Sequence, residues 1–185
     1  FPDEHTGVAV QKEISGDTIV VYQDHGQRIA AIRELAQRCI SHGASALVLT
    51  PHRAWISHLS RALSELPLVT VDTGARGVHA SWEAITAARK PGVVILGTRA
   101  AAWIAPPSLG AIILDESHSD DHKQWDMQPK YDARTITAAI AAARGIPRFL
   151  LSPAPRVEDW SEAAQRTQLP AVPLNLRIVR LDHFW

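Results

Sequence analysis

The sequence predicts an α/β fold in which a mainly parallel sheet of about seven strands lies between two layers of helices. Strand patterns and helix patterns alternate along nearly all of the 185 residues, and such alternation is typical of parallel sheets. Nearly all of the predicted strands are short, continuous apolar runs, as expected of strands that are covered on both faces. No linker or repeat interrupts the pattern, so we expect a single domain over residues 1–185.

The predicted strands and helices follow one another in a regular order. Strand patterns are short runs rich in Val, Ile and Leu, at residues 18–22, 46–49, 68–71, 93–96, 112–114, 149–151 and 176–181. Helix patterns repeat apolar residues every three or four positions, at residues 27–42, 54–66, 80–90, 132–144 and 157–166. Gly43 and Gly145 follow the first and fourth helices, and Pro91 follows the third, as expected where helices end.

Composition excludes several classes of protein. Hydrophobic residues make up 46% and charged residues 21%, which is ordinary for a globular domain. The 19 basic and 19 acidic residues balance, so no overall positive field indicates a nucleic-acid partner, although a local basic patch is still compatible with one. The single cysteine, Cys39, excludes an internal disulfide and a zinc site made of several cysteines, and we expect it in the core. Without an apolar run of about 20 residues, we expect a cytoplasmic protein with no membrane partner.

Polar residues collect in the loops where the predicted strands end. These loops are residues 23–28, 51–53, 72–74, 97–99, 115–118 and 152–154. In parallel sheets, ligands bind at this edge. Asp115 and Glu116 directly follow a buried strand, and two carboxylates in that position commonly hold a hydrated Mg²⁺ and orient a water molecule. The spacing alone leaves a second interpretation equally open, in which the two acids only cap the next turn.

Several of these segments resemble a known family of helicases. Residues 115–118, Asp-Glu-Ser-His, resemble the Asp-Glu-x-His box of superfamily 2 helicases. The following His-Lys-Gln (122–124) and Lys-Tyr-Asp-Ala-Arg (130–134) resemble the primosomal protein N′ (PriA) helicase family, whose box is followed by Y-K-Q and R-Y-x-A-R. Weaker similarities occur in the same order at residues 49–51, 97–100 and 152–155. The resemblance covers nearly the whole chain and implies a three-layer, RecA-like domain of the P-loop NTPase type, the first of two in such a helicase.

The resemblance also implies ATP and Mg²⁺ as cofactors, but the phosphate-binding loop departs from the family. Asp115, Glu116 and His118 would form the catalytic box, with Asp115 and Glu116 holding Mg²⁺. Residues 23–28 (QDHGQR) stand where the family has T-G-S-G-K-T.

Only Gly26 of that loop is retained. Gln27 replaces the lysine that contacts phosphate, and Arg28 replaces the hydroxyl that contacts Mg²⁺, where its long side chain would crowd the metal. Asp24 would bring negative charge towards the triphosphate. Because one charged contact to phosphate contributes about 1.5–3 kcal/mol, we expect ATP binding and hydrolysis to be impaired. The box at residues 115–118 would then be a vestigial motif inherited from an ATPase.

The departures in the phosphate-binding loop do not affect the segments that the family uses to contact DNA. Residues 123–131 resemble the aromatic-rich loop by which the family links single-stranded DNA to ATP turnover. The predicted DNA-binding residues are Arg53, Arg99, Lys123, Trp125, Lys130, Tyr131 and Arg134. Stacking of a base on an aromatic side chain contributes about 1–3 kcal/mol. As alternatives, Trp125 and Tyr131 pack under their own loop, and Arg99 pairs with a nearby acid.

Other features of the sequence are weighed in the same way. His118, Asp120, Asp121 and His122 could bind a transition metal, but the segment does not read as a helix and no cysteine is near, so we do not favour a metal site there. The six tryptophans are scattered, and we expect most of them in the core or half-buried. The family's second RecA-like domain, cysteine-rich zinc element and winged helix are expected to be absent from this chain, and so is zinc.

Three hypotheses about function remain open. The first is an ATPase-impaired, PriA-like replication-restart domain that binds single-stranded or forked DNA, with replisome proteins as possible partners and a nucleoid location. The second is one lobe of a working ATP-dependent 3′–5′ DNA helicase that is completed by another domain. The third is a protein-interaction scaffold on a RecA-like fold without a DNA role.

Overall fold

The computed structural model describes residues 16–71, 77–126 and 128–170 and confirms the predicted three-layer α/β fold. The strands of its sheet are β1 (Asp17–Val21), β2 (Ser45–Leu49), β3 (Leu68–Val71), β4 (Val94–Gly97), β5 (Leu109–Leu114), β6 (Arg148–Ser152) and β7 (Gln165–Gln168). The helices are α1 (His25–Ser41), α2 (Arg53–Ala62), α3 (Gly77–Ala88), α4 (Ala133–Arg144) and α5 (Val157–Glu162). Two short 3₁₀ helices cover Arg99–Trp103 and Asp120–His122.

The seven strands form one parallel sheet in the order β3-β4-β2-β5-β6-β1-β7. Because all the strands run in one direction, the loops that follow them meet at one edge of the sheet. Only β6 separates β1 from β5. The loop after β1 therefore lies within reach of the acids after β5.

Two apolar cores lie on opposite faces of the sheet. One core packs α1 and α2 through Ile32, Leu35 and Leu59. The other core packs Ala101, from the first 3₁₀ helix, and Ala141, from α4, against aliphatic strand residues such as Ile112. All residues of β2, β4 and β6 are buried, because helices cover both faces, and this explains why these strands show no polar alternation in the sequence. Cys39 is buried in the first core, as predicted.

Two elements at the C-terminal side of the chain differ from the prediction. The predicted helix over residues 157–166 is a short helix, α5, that ends at Glu162 and is followed by the edge strand β7. Pairing with β1 forms this strand, and the tertiary pairing overrides a weak and polar local pattern. The strand predicted at residues 176–181 lies outside the described residues. Among the described residues, no helix has the length and apolar character needed to cross a membrane.

The tryptophans also differ from the prediction that most of them are core or half-buried. Among the described residues, four are exposed: Trp82, Trp103, Trp125 and Trp160. A large apolar side chain left in water forgoes about 1.5–3 kcal/mol of burial energy. The prediction is therefore wrong for four of the five tryptophans that the structure describes.

Candidate functional site

The loop after β1 leads into α1 and is folded onto its own side chains. Asp24 caps α1, and its Oδ1 accepts a hydrogen bond of 2.8 Å from the backbone N–H of Gln27. The Gln27 side chain accepts from the backbone N–H of Gln23 at 2.8 Å and donates to the carbonyl of Pro170 at 2.6 Å. Backbone N–H groups at a helix start are the groups that bind phosphate in a nucleotide loop. Here two of them are bound by side chains of the protein.

Arg28, in the first turn of α1, reaches the acids that follow β5. Its Nε lies 2.6 Å from Oδ1 of Asp115, and its Nη2 lies 2.5 Å from Oδ2. Its Nη1 donates to Oε1 of Glu116 at 2.9 Å. The pair with Asp115 is bidentate, which is the strongest arrangement of a guanidinium and a carboxylate. The sequence predicted Arg28 and both acids as site residues, and the fold brings them together.

An aromatic ring covers the face of this guanidinium. The ring centroid of Trp55, from α2, lies 4.3 Å from Cζ of Arg28, within the range of a cation–π interaction. The ring of His25 lies 4.9 Å from the ring of Trp55. Burial lowers the pKa of Arg28, but the hydrogen bond and charge of Asp115 raise it by more, so the guanidinium stays charged. Burial and the charge of Asp115 also raise the pKa of the neighbouring Tyr22, which stays neutral.

The arrangement does not fit Mg²⁺ with a triphosphate. A magnesium ion needs oxygen ligands at about 2.0–2.1 Å, and both carboxylate oxygens of Asp115 are engaged by Arg28. The predicted cofactor positions Gly26, Gln27 and Arg28 supply no lysine for phosphate and no hydroxyl for the metal. The residues present therefore do not form a site for Mg²⁺ and ATP phosphates.

Backbone hydrogen bonds to both neighbouring strands hold the box at residues 115–118. The N–H of Asp115 donates to Leu49 of β2 at 2.8 Å, and the N–H of Ser117 donates to Leu151 of β6 at 2.9 Å. Between them, Glu116 has a φ of 47°, in the left-handed region. Such a conformation costs a non-glycine residue about 1–3 kcal/mol and persists where the surroundings enforce it.

The two histidines in and after the box point to different partners. Nδ1 of His118 forms a hydrogen bond of 2.9 Å with Oγ of Ser152, which joins the box to the segment after β6. The His122 ring is fully buried, and its Nε2 donates to the carbonyl of Asp115 at 2.9 Å. Burial lowers the pKa of His122. In the part of the chain that the structure describes, no group of three or more His, Cys, Asp or Glu side chains could hold a metal ion.

A loop closed by an antiparallel bridge, which we call the hairpin, follows the box and is described at residues 123–126 and 128–132. Lys123 and Asp132 form an antiparallel bridge, and the N–H of Gln124 donates to the carbonyl of Tyr131 at 2.7 Å. Arg134 fixes the base of the hairpin, because it donates to the carbonyl of Ser117 at 3.1 Å and pairs with Asp132 at 2.8 Å. The Arg134 side chain is buried, so it does not present its charge to a DNA phosphate.

The other predicted DNA residues of the hairpin reach the surface to different degrees. Trp125 is 60% exposed, so it does not pack under its own loop, and the Lys123 ammonium lies 5.4 Å from its ring centroid. Lys130 is exposed. Tyr131 is half-buried, and its ring packs edge-on against Trp103 with the centroids 5.4 Å apart. The sequence did not predict a role for Trp103, which ends the first 3₁₀ helix. Its place in the segment that follows β4 was the available signal.

The remaining predicted DNA residues come from loops at the same edge of the sheet. Arg99 donates from Nε to the Gln124 side chain at 2.7 Å and lies 3.8 Å from Asp126. Arg99 is therefore bound to the hairpin. Its contact with Asp126 agrees in part with the alternative prediction that Arg99 pairs with a nearby acid. Arg53 is exposed at the start of α2. Lys123 also has an acid nearby, Asp120 at 3.2 Å. The charges of Arg99 and Lys123 are therefore partly neutralised.

Comparisons with known proteins agree with the family resemblance. The chain is 40% identical over 67 residues to replication restart protein PriA of Synechocystis sp., a match that covers 36% of this chain and 8% of that protein. It is 24% identical over 163 residues to PriA of Bacillus subtilis, which covers 83% of this chain and 20% of that protein. The chain thus spans a fifth or less of the length of these relatives. No model of a protein family matches.

Solved structures of helicases share the fold. A DEAD box protein from Methanococcus jannaschii matches with a TM-score of 0.59 and 15% identity, over 83% of this chain and 44% of that chain. The Hef helicase domain of Pyrococcus furiosus matches with a TM-score of 0.57 and 17% identity, over 84% of this chain and 35% of that chain. The predicted resemblance to PriA is thus confirmed, and the fold is the RecA-like fold that these helicase structures share.

Proposed function

We propose that this PriA-like, helicase-type domain binds single-stranded or forked DNA and does not turn over ATP. The buried ion pair of Arg28 with Asp115 and Glu116 supports the proposed absence of ATP turnover. The residues that the family uses for the metal are engaged by a cation of the protein, at the point where ATP chemistry would occur. Under this proposal, Asp115, Glu116 and His118 are structural residues.

The loop after β1 supports the same conclusion. A phosphate arriving at α1 would have to displace the Asp24 carboxylate from the N–H of Gln27. It would gain no lysine in return, and a charged contact of that kind contributes about 1.5–3 kcal/mol. Titration of the protein with ATP and Mg²⁺ by calorimetry tests this part. We expect no binding in the micromolar range, and micromolar binding would favour the second hypothesis, a working helicase lobe that another domain completes.

DNA binding is proposed to use the hairpin together with the loops after β2 and β4. The exposed ring of Trp125, beside the ammonium of Lys123, offers a stacking surface next to a positive charge. Arg53, Arg99 and Lys130 supply further cations for phosphate contacts. Asp126 and Asp120 partly neutralise Arg99 and Lys123, so we expect stacking to contribute more to the affinity than charge.

Fluorescence anisotropy with single-stranded and forked DNA at several salt concentrations tests this part. The double variant Trp125→Ala, Lys123→Ala is expected to weaken binding by about 10-fold or more, since one stacked base contributes about 1–3 kcal/mol. Trp160 and Arg166 provide a matched control, because they form an exposed tryptophan–cation pair 5.3 Å apart in another part of the fold. Equal losses in the two double variants would argue against a DNA site at the hairpin.

A protein-interaction scaffold is the second candidate function. The observation that favours it is the exposure of Trp82, Trp103 and Trp160, which the proposed DNA surface does not use. DNA affinity that is absent at every salt concentration would favour this candidate. Replication-restart proteins are the partners, and the nucleoid is the location, that we propose by similarity to PriA.

A further inference from the structure

The acids after β5 hold a cation that belongs to the protein itself. Both carboxylate oxygens of Asp115 and one of Glu116 accept hydrogen bonds from the single guanidinium of Arg28. One positive group therefore bridges two carboxylates, as a metal ion held between them would. The contact joins residues that lie 87 and 88 positions apart in the chain.

The bridging guanidinium is closed off from water. The side chain of Arg28 is 4% exposed, that of Asp115 is fully buried, and that of Glu116 is 19% exposed. The carboxylates engage the edge of the guanidinium, and the ring of Trp55 covers its face. The positions that the oxygen ligands of a hydrated ion would need are therefore already filled.

We propose that Arg28 is a built-in counter-ion that replaces a divalent cation, so that Asp115 and Glu116 form a latent metal site. This inference rests on the proposed loss of ATP turnover. A guanidinium is always charged and cannot dissociate from its own chain. The two carboxylates are thus neutralised to the same extent whether or not metal or nucleotide is present.

Charge explains why the site is latent. An incoming divalent ion would meet a positive group about 4 Å away, at a distance where repulsion is large in a partly buried site. Removal of Arg28 reverses the balance, because two adjacent carboxylates then remain at one point with no cation between them. Such a pair offers the hard oxygen ligands that Mg²⁺, Mn²⁺ and lanthanide ions prefer. The unmodified protein should ignore these ions, whereas an Arg28 variant should bind them.

Terbium luminescence tests this directly, because Trp55 lies beside the vacated position and can sensitise a bound Tb³⁺ ion. In Arg28→Ala, we expect saturable emission on tryptophan excitation, with competition by Mn²⁺, and an affinity about 100-fold or more above that of the unmodified protein. The double variant Arg28→Ala, Glu116→Gln should lose most of this gain. Arg156→Ala is a matched control, since it also removes an arginine from a bidentate pair, but Arg156 is hydrogen-bonded to the carboxylate of one residue, Asp159, and not of two.

Thermal unfolding provides a second measurement that does not depend on luminescence. Arg28→Ala should be less stable than the unmodified protein in chelator and should be stabilised by Mn²⁺, because an ion that binds only the folded state raises its stability. Arg28→Gln, which keeps more of the side-chain volume, serves if Arg28→Ala does not fold. Failure of both variants to fold even with Mn²⁺ would count against the proposal, since a latent site predicts rescue by metal.

Two further outcomes would overturn the proposal. One is saturable, Glu116-dependent Tb³⁺ binding by the unmodified protein, and the other is no gain of Tb³⁺ or Mn²⁺ binding in a folded Arg28 variant. ATP calorimetry on the unmodified protein separates this failure from that of the proposed function. Micromolar ATP binding would count against the proposed function, whereas no ATP binding combined with no gain of metal binding would refute only the built-in counter-ion.

Discussion

Replacement of Arg28 by Met should destabilise the domain strongly. The variant keeps much of the apolar side chain but removes the charge that neutralises Asp115, whose side chain is fully buried. Removal of one partner from a buried ion pair costs about 3–5 kcal/mol, because the remaining charge has no compensation. Glu116 adds less to this loss, since it is 19% exposed and water can solvate it in part. Loss of the contact with Trp55 adds about 0.5–2 kcal/mol.

The magnitude matters because a domain of this kind is stable by only about 5–15 kcal/mol. Urea unfolding followed by circular dichroism measures the change, and a lower midpoint with an unchanged slope identifies a loss of stability. Glu116→Gln, which weakens only the third contact, should cost about 1–2 kcal/mol in the same assay. A loss below about 1 kcal/mol for Arg28→Met would refute the reasoning, since it would mean that Asp115 finds water or another donor.

Other predictions concern three features near the same edge of the sheet. Burial lowers the pKa of His122, so the folded protein binds fewer protons at this residue than the unfolded chain. Stability should therefore fall as the pH drops below about 6.5. His122→Asn should flatten this pH dependence, as measured by urea unfolding at pH 5 to 8. Asp24→Ala removes the cap of α1 and should cost about 1 kcal/mol, measured by the same unfolding, with Glu162→Ala, at the end of the short α5, as a surface control. Gly97→Ala would place a Cβ 2.6 Å from Cβ of Ala101 and 2.8 Å from the carbonyl of Val71 and should cost about 1–3 kcal/mol; an unchanged melting temperature would show that the first 3₁₀ helix can move away.

The fold could be predicted from the sequence because its strands are buried on both faces. Continuous apolar runs such as those of β2 and β4 have few alternative interpretations in a chain with helical patterns between them. The edge strand β7 could not be predicted in the same way, since its residues are mostly exposed and polar and the strand exists only through pairing with β1. Local sequence patterns do not reveal which neighbouring strand a polar segment will pair with.

The candidate site shows a similar division. The sequence indicated that Arg28 stands in the place of a metal-binding hydroxyl, but its pairing with Asp115 depends on a sheet order that brings β1 close to β5. Arg134 was predicted to contact DNA because it follows an aromatic loop, yet its side chain turns inwards to the carbonyls of Ser117 and Ser119. Residue type and spacing do not say which way a long side chain points.

The fixed charge at the end of β5 has a consequence for energy transduction. In a motor domain, a ligand performs work at a distance only if it binds two states of the protein with different affinities. Here the box is connected to the hairpin through His122 and Arg134, but its charge is set by Arg28 and not by a ligand that comes and goes. Under the proposed loss of ATP turnover, the coupling free energy between nucleotide and hairpin would be close to zero. Such a domain would bind a DNA strand in a single conformational state and would not move along it in response to nucleotide.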